Sequence, residues 1–297
     1  MRVVVFGAAG MLGHRTLIEL GGEVRAIGTV RGEAEPFADH PLLGQAKIIG
    51  HVRAEDMSSI ERILDGFQPD AAVNCIGVVR QSPLINDQII SGEINALFPR
   101  RLARSCRDRG VRLIHMSTDC VFSGQKGGRA EIDPPDPDDF YGRSKLAGEP
   151  EFSDNPDCLC IRTSAVGQEI KHRRSLLQWL IANRKGRVKG YSRAVFSGLS
   201  APVLARTIKR VITDHPKLSG VRHLSGEPIS KYDLLQLLNK SLGLEVEIEP
   251  APEPVLDRSL DGTRFNTETG FVPPSWEEMA QELAELSPLY SQTDSVP

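Results

Sequence analysis

A short apolar run that ends in a glycine-rich turn, at the start of the chain, most constrains the fold. Arg2–Phe6 is predicted to be a buried parallel strand, the turn has the sequence GAAGMLG, and a helix is predicted over Met11–Leu20. Glycines let the backbone approach a phosphate, and the amino terminus of the helix supplies N–H groups and positive potential. Strand, turn and helix together predict the phosphate-binding start of a dinucleotide fold.

This turn supplies the first candidate cofactor contacts. Its spacing is G-x2-G-x2-G, which differs from the G-x-G-x2-G of the standard dehydrogenase fingerprint. Its position directly after a β-branched run favours phosphate binding over a purely structural turn. The candidate residues in it are Gly7, Gly10, Met11, Leu12 and Gly13.

The end of the second predicted strand, Val24–Val30, bears on the choice of cofactor. A carboxylate at this place would hold the ribose 2′-hydroxyl of NAD, but the sequence has Arg31, which can pair with a 2′-phosphate. NADPH is therefore favoured, with NADH as the alternative. The other interpretation of Arg31, as a solvated loop residue, stays open. A third strand, Lys47–Gly50, is predicted to bring His51 and Val52 to the adenine edge of the site.

Strands and helices alternate through the first half of the chain. Further strands are predicted at Ala71–Ile76, Val111–Met116 and Cys158–Thr163, with helical runs between them. The fold class is therefore predicted to be α/β, with a Rossmann-type doubly wound parallel sheet and a smaller C-terminal α/β substrate lobe.

The later part of the chain has a looser pattern. We expect a dinucleotide-binding domain over residues 1–165, with returning segments near 196–225, and a mostly substrate-binding lobe over 166–297 that is interleaved with it. Gly190–Ser200 is polar and contains glycine, and it is predicted to be a loop on the substrate side.

Composition narrows the functional class. The 297 residues have a formal net charge of −3, which argues against nucleic acid as the main partner. No apolar run approaches the roughly 20 residues of a transmembrane helix, and the first residues do not resemble a signal peptide. The five cysteines are scattered and contain no C-x-x-C pair, as is typical of reduced thiols. The sequence predicts a cytoplasmic protein that does not bind membranes.

A tyrosine and a lysine four residues apart are the strongest catalytic candidates. Tyr141 and Lys145 share one face of a predicted helix, which Asp138 or Asp139 can cap. A nearby ammonium is expected to lower the pKa of the phenol, which could then protonate a carbonyl oxygen as hydride reaches its carbon. The Thr118 hydroxyl could hold the same oxygen. A surface pair without catalytic function is the alternative interpretation.

Other candidates follow the fourth strand or lie beyond the dinucleotide half. Cys75, Ile76 and Gly77 offer small or apolar groups beneath a nicotinamide ribose. Gln81 leaves the sheet in the next segment and is a candidate for substrate binding. Arg173 belongs to a basic segment that could meet an anionic diphosphate or form a solvated helix rim.

These motifs together resemble the extended short-chain dehydrogenase/reductases, most closely the dTDP-4-dehydrorhamnose reductase family, over nearly the whole chain. GAAGMLG resembles the cofactor loop, MSTDCVFSG the S-T-D-x-V-F-x-G segment, and YGRSKLAGE the Y-G-x-x-K-x-x-G-E helix. IRTSAVG, RHLSGEPISKYDLL and SLDGTRF resemble later family segments. The resemblance implies reduction of the 4-keto group of a UDP- or dTDP-linked 4-keto-6-deoxy sugar by NAD(P)H, for cell-surface polysaccharides.

The resemblance also implies residue roles. Tyr141 would be the proton donor, and Lys145 would lower its pKa and bind the nicotinamide ribose. Thr118 would bind the sugar carbonyl, with Asp119 beside it. No metal site is implied, and the expected partner is the nucleotide sugar, with a homodimer among the open oligomeric states.

Two departures from the family pattern affect the predicted sugar pocket. Cys120 stands where these reductases usually have a tyrosine, and Ala165 where they usually have a tryptophan. The loss of both aromatic rings enlarges the expected pocket. We therefore favour a UDP-linked sugar, for which a 2-acetamido group is one suitable substituent.

Two alternatives remain at this point. A nucleotide-sugar epimerase or dehydratase would share the fold, but dehydratases usually have T-D-E, and here Cys120 follows Asp119. A non-catalytic regulatory subunit resembling the β subunit of methionine adenosyltransferase would bind cofactor without turnover. The intact set of Thr118, Tyr141 and Lys145 weighs against the second alternative.

Overall fold

A central parallel sheet organises the computed structural model, which describes residues 1–22, 24–149, 155–171 and 174–291. The strands are β1 (Arg2–Phe6), β2 (Arg25–Thr29), β3 (Lys47–Ile49), β4 (Ala71–Asn74), β5 (Arg112–Met116), β6 (Cys158–Arg162), β7 (Ala165–Val166), β8 (Arg187–Tyr191), β9 (Ala194–Phe196), β10 (Leu199–Ser200), β11 (Gly220–His223), β12 (Ile229–Ser230), β13 (Glu247–Ala251) and β14 (Leu256–Asp257). The helices are α1 (Met11–Leu20), α2 (Met57–Phe67), α3 (Gln88–Gly92), α4 (Phe98–Arg107), α5 (Phe140–Ala147), α6 (Leu176–Ala182), α7 (Ala201–Thr213), α8 (Lys231–Leu242), α9 (Thr263–Thr269) and α10 (Trp276–Ser291).

The order of the strands confirms the predicted fold class. The seven-stranded sheet has the order β11-β6-β5-β4-β1-β2-β3, and its neighbouring strands are parallel. The chain runs outward from β1 to β3 on one side and from β4 to β6 on the other. The order therefore reverses between β1 and β4, and ligands of such sheets bind in the crevice at this switch point.

Burial on both faces explains why β1 is an uninterrupted apolar run. Val3 and Val5 belong to one apolar core, whereas Val4 and Phe6 belong to a second core on the opposite face. Each of these side chains is fully buried. Because successive side chains of a strand point to opposite faces, a strand between two helical layers needs apolar residues at every position.

Short strands replace the predicted loop at Gly190–Ser200, so that prediction is wrong. The end of β8 and all of β9 and β10 lie there, and β9 pairs with β12 and β14 in a three-stranded sheet. Strands of two or three residues separated by glycine give no periodic signal, and only their distant partners define them.

The second half of the chain contributes to both parts of the structure. Strand β11 joins the edge of the main sheet beside β6, whereas β8 and β13 pair in a small sheet of their own. The five cysteines are free thiols, as expected, and Cys158 and Cys160 pack in an apolar core. Across the residues that the structure describes, none of the helices combines the length and apolarity needed to cross a bilayer.

Candidate active site

A cavity of about 530 Å³ lies at the switch point, where β1, β2 and β4 end. Its lining brings together most of the residues predicted to contact a cofactor, although they come from four separate segments. Those predicted residues are Gly7, Gly10, Arg31, Val52, Cys75, Ile76 and Gly77.

The glycine turn is shaped by close backbone contacts. Gly7 has φ +84°, and the Gly10 N–H donates to the Gly7 carbonyl at 3.0 Å. A Cβ atom on Gly13 would lie only 2.1 Å from the Gly7 oxygen, so α1 packs directly on the turn. Met11, Leu12 and Gly13 do not line the cavity. Gly13 is required for this helix packing, while Gly7 and Gly10 face the cavity.

A buried histidine connects the glycine turn to the last helix. His14 Nδ1 is 2.8 Å from the Gly10 carbonyl oxygen, and its Nε2 is 2.7 Å from the Tyr290 hydroxyl. A carbonyl can only accept, so Nδ1 bears the proton and Tyr290 donates to Nε2. Burial lowers the pKa of His14 to about 3, which keeps the ring neutral. The sequence reasoning did not identify this link, because Tyr290 is distant in the chain.

The structure separates the two residues predicted at the adenine edge. Arg31 is exposed and lines the cavity, with its Nη2 3.6 Å from Glu55 Oε1. Val52 also lines the cavity, but His51 does not. The His51 ring instead contacts the Glu33 carboxylate, at 2.9 Å, in exposed surroundings. The structure thus places the His51 side chain outside the lining of the cavity.

Lys145 lies next to Gly77, which lines the cavity. A Cβ atom on Gly77 would lie 3.7 Å from Lys145 Nζ, and that amine donates to the Met116 carbonyl at 2.8 Å. The lysine is buried, and burial lowers its pKa. Its hydrogen bond to the end of β5 holds the amine beside the Gly77 backbone.

Tyr141 is the second residue of α5, whose first turn is capped as predicted. Asp139 Oδ1 accepts from the Gly142 N–H at 2.7 Å. The phenol is partly buried, and burial raises its pKa, while hydrogen bonding with Thr118 opposes the rise. The expected lowering of this pKa by Lys145 is wrong for the unliganded structure. The cost of burying a phenolate dominates, and the Lys145 amine is turned toward the end of β5.

Thr118 and Asp119 form the turn that faces Tyr141. Thr118 Oγ1 accepts from the Cys120 N–H and lies 3.1 Å from Asp119 Oδ1, to which it donates. Asp119 is buried, and burial raises the pKa of its carboxyl. The threonine hydroxyl and the tyrosine phenol are thus held on adjacent elements, where both can reach one oxygen atom.

Asn95 ties the wall of the cavity to the helix of Tyr141. Its Oδ1 accepts from the Val78 N–H at 2.8 Å, and its Nδ2 donates to the Val78 carbonyl at 2.9 Å and to Ser144 Oγ at 3.1 Å. Asn95 lies in a π-helical segment, 93–97, between α3 and α4, and such segments are frequent at functional sites.

The remaining predicted contacts are not brought into the cavity. Gln81 is exposed and does not line it, whereas the neighbouring Arg80 pairs with Asp139 at 2.8 Å. Arg173 lies outside the described residues. Lys171 and Arg174, on either side of that gap, line the cavity that contains the glycine turn.

Two cations near Thr118 and Asp119 were not identified from the sequence. Lys231 Nζ lies 3.3 Å from the centroid of the Phe196 ring, and burial lowers the pKa of this lysine to about 8. Arg258 donates from Nη2 to Asp138 Oδ1 at 2.9 Å. The sequence contained one signal for Lys231. It is the first residue of a helix, where a positive charge opposes the helix dipole and is therefore unusual.

The similarity to known proteins covers both sequence and fold. The chain is 37% identical over 171 residues to "Probable low-salt glycan biosynthesis reductase Agl14" of Haloferax volcanii, which covers 56% of this chain and 54% of that protein. It is 37% identical over 118 residues to a dTDP-4-dehydrorhamnose reductase of Mycobacterium tuberculosis, covering 37% of this chain and 38% of the relative. The alignments thus span about half of these curated relatives or less.

The fold agrees with a solved structure over nearly the full chain. A dTDP-4-dehydrorhamnose reductase from Clostridium acetobutylicum superimposes with a TM-score of 0.80 at 22% identity, covering 97% of this chain and 100% of that one. At this identity the likeness concerns the fold. The sequence profile described as the RmlD substrate binding domain matches residues 1–287, and the chain belongs to that family.

Proposed function

We propose that this protein reduces the 4-keto group of a nucleotide-activated 4-keto-6-deoxy sugar, UDP- or dTDP-linked, with NADPH as the favoured donor and NADH as the alternative. The observation that carries the proposal is the cavity of the glycine turn, whose lining includes Gly77, next to the Lys145 amine. Tyr141 stands one turn earlier on the same helix, close to Thr118. The two sequence relatives described above are both reductases, which supports the same reaction.

The described residues fit a dinucleotide. The positive φ of Gly7 and the absence of side chains at Gly7 and Gly10 leave room for a pyrophosphate at the amino terminus of α1. Arg31 in the lining could meet a 2′-phosphate, and Gly77, which has no side chain, leaves the Lys145 amine within reach of ribose hydroxyls. A nicotinamide bound there would supply the hydride.

Side chains of the protein supply the proton that the carbonyl oxygen needs. Because burial raises the pKa of Tyr141, the phenol keeps its proton at neutral pH until a carbonyl oxygen gains negative charge. Thr118 holds that oxygen and Tyr141 donates to it. The Lys145 amine, one helical turn away, then stabilises the phenolate that remains.

We expect the sugar pocket to accept a bulkier substrate than a plain deoxyhexose. Cys120 and Ala165 stand where the reductases that the chain resembles usually have two aromatic side chains, and Ala165 is exposed. We therefore favour a UDP-linked sugar, with a 2-acetamido group among the suitable substituents. Turnover of UDP- and dTDP-linked 4-ketosugars should be compared, and a clear preference for the dTDP-linked substrate would refute this choice.

The setting of the reaction belongs to the same proposal. We place the protein in the cytoplasm, in the synthesis of sugars for cell-surface polysaccharides, and propose a homodimer as its assembly. Sedimentation equilibrium of the purified chain tests the assembly, and a monomer at micromolar concentration would contradict it.

Replacement of Tyr141 by phenylalanine tests the catalytic assignment. We expect Tyr141→Phe to lower turnover by about 10²-fold or more, because the proton donor is lost, while calorimetry shows NADPH affinity largely unchanged. Tyr191→Phe, which changes an exposed tyrosine on β8, is the matched control and should retain full activity.

The same assay separates the alternatives. Steady NADPH consumption with a 4-ketosugar supports the reductase, whereas a product formed without net oxidation of cofactor would indicate an epimerase or dehydratase. NADPH binding without turnover of any nucleotide sugar would favour a non-catalytic subunit. Unchanged turnover in Tyr141→Phe would remove the proposed role of the phenol.

A further inference from the structure

Lys231 is an enclosed cation for which the described residues provide no hydrogen-bond acceptor. It is the first residue of α8, where a positive charge opposes the helix dipole. Its ammonium rests on the face of the Phe196 ring, and among the described residues no acceptor lies within hydrogen-bonding distance of Nζ. An ammonium has three donors, and an enclosed one normally satisfies them. The Lys231 ammonium therefore has room for a hydrogen-bond acceptor that the described residues do not provide.

The groups that face Lys231 come from two other elements. Asp119 and Cys120 belong to the turn after β5, and Arg258 follows β14. The Asp119 carboxylate attracts the ammonium but lies beyond the 4.0 Å of a salt bridge. Arg258 is already paired with Asp138, so its charge is partly compensated. Lys231 and Asp119 thus attract one another without forming a salt bridge.

Lys231 interacts with the same turn as the proposed catalytic groups. Tyr141 interacts with Thr118, Asp119 and Cys120, the same turn that faces Lys231 from the other side. Tyr141, Cys120 and Lys231 are each mostly enclosed by protein and still partly accessible. A ring placed with its carbonyl oxygen at Thr118 and Tyr141 would present a neighbouring substituent to Lys231.

We propose that Lys231 binds an oxygen substituent on the ring carbon next to the reacting carbonyl and so selects sugars that have a hydrogen-bond acceptor there. This inference rests on the proposed function and specifies its substrate. A hydroxyl, carbonyl or amide oxygen satisfies the ammonium, whereas a protonated amine at that position is repelled by it. Lys231 is thus a substrate-binding and specificity-determining residue.

The acid–base behaviour of Lys231 gives the inference a pH signature. Burial lowers the pKa of the ammonium to about 8, and Asp119 opposes this shift. The charge is present below this pKa and is lost as the pH rises through it. Binding of the acceptor should therefore weaken between pH 7 and 9 in the wild type.

Substitution by methionine, which has a similar length and no charge, is the direct test. We expect Lys231→Met to raise the KM for the ketosugar about 10- to 100-fold, the range of a charge-assisted hydrogen bond, with a smaller change in kcat. Calorimetry should show unchanged NADPH affinity. The rise of KM between pH 7 and 9 should disappear in Lys231→Met and persist in Lys240→Met, an exposed lysine in the last turn of the same helix.

An analogue with an amino group beside the carbonyl provides a second readout. The wild type should bind this analogue about tenfold more weakly than the hydroxyl sugar, because two positive charges then face each other. Lys231→Met should bind the two sugars with similar affinity. Folding of each variant is checked by its circular dichroism spectrum.

The outcomes distinguish the two proposals. Equal ketosugar affinity of the wild type and Lys231→Met, measured by calorimetry without NADPH, would overturn the role of Lys231 alone. Ketosugar binding without NADPH consumption by the wild type would overturn the proposed reaction and leave the Lys231 contact in place. Failure of the wild type to bind any UDP- or dTDP-linked 4-ketosugar would overturn both.

Discussion

The glycine-turn end of the cavity and the corner around Lys231 are built in opposite ways. The first is made by residues that are neighbours in the chain, from β1 to the start of α1, and by steric fit between backbone atoms. The second joins Cys120 and Arg258, which are 138 positions apart and within 3.9 Å, and its forces are electrostatic. A local motif can be recognised in the sequence, whereas a site built from distant segments gives almost no sequence signal.

The largest expected effect tests whether steric contact between Gly13 and Gly7 shapes the glycine turn. Gly13→Ala should lower the free energy of unfolding by about 3 kcal/mol, because its Cβ would lie 2.1 Å from the Gly7 oxygen and the backbone must shift. NADPH affinity should fall as well, since the turn is displaced. Urea unfolding and calorimetry measure the two quantities.

Gly66→Ala is the matched control for that change. Gly66 lies in α2, is exposed, and has no atom within 4 Å of the position of a Cβ. Alanine there should raise the stability by about 0.5–1 kcal/mol through its helix propensity. Similar effects of the two substitutions would show that steric contact does not define the turn.

A smaller effect tests the one distant link of the glycine turn. The folded pKa of His14, about 3, is below the usual value of 6.5, so the folded protein resists protonation of this ring. Stability is fully present above pH 6.5 and is lost as the pH falls toward 3. Relative to His14→Gln, the wild type should lose about 2 kcal/mol of unfolding free energy between pH 7 and 5.

The measurement is a series of urea unfolding curves for both proteins over that pH range. Only the difference in pH dependence matters, because the substitution also changes the stability itself. Parallel curves would show that protonation of His14 costs nothing and that its buried contact to Tyr290 does not hold the turn in place.

The smallest expected effect concerns Arg31 and its proposed contact with the 2′-phosphate of NADPH. Arg31→Ala should reduce the preference for NADPH over NADH about tenfold, a typical value for one exposed charge-assisted contact. The ratio of the two kcat/KM values measures it. Arg62→Ala, an exposed arginine on α2, is the control. An unchanged ratio in Arg31→Ala would leave the 2′-phosphate without its proposed partner.

Most of the main sheet could be predicted from the sequence. Strands β1, β4 and β6 are buried on both faces, so they are continuous apolar runs, and their bounds lie within two residues of the prediction. The short strands β9 and β10 could not be predicted, because two or three residues become a strand only when distant partners supply hydrogen bonds.

The candidate site divides in the same way. Spacing within one helix placed Tyr141 and Lys145 together, and the resemblance to known motifs supplied their partners. The direction of the Tyr141 pKa was not accessible, since the cost of burying a phenolate depends on the groups packed around it. His51 directly precedes Val52, which lines the cavity. The His51 side chain nevertheless lies outside the cavity lining, where the residue has a positive φ and contacts Glu33.

The sequence alone determined the α/β class, the glycine turn and the spacing of the tyrosine and lysine, because each depends on residues within a few turns of one another. Only the tertiary structure decided the contact of His14 with Tyr290 and the meeting of Lys231 with Asp119. The physical reason is that burial and electrostatic attraction depend on distance in space, which chain folding sets independently of distance in sequence.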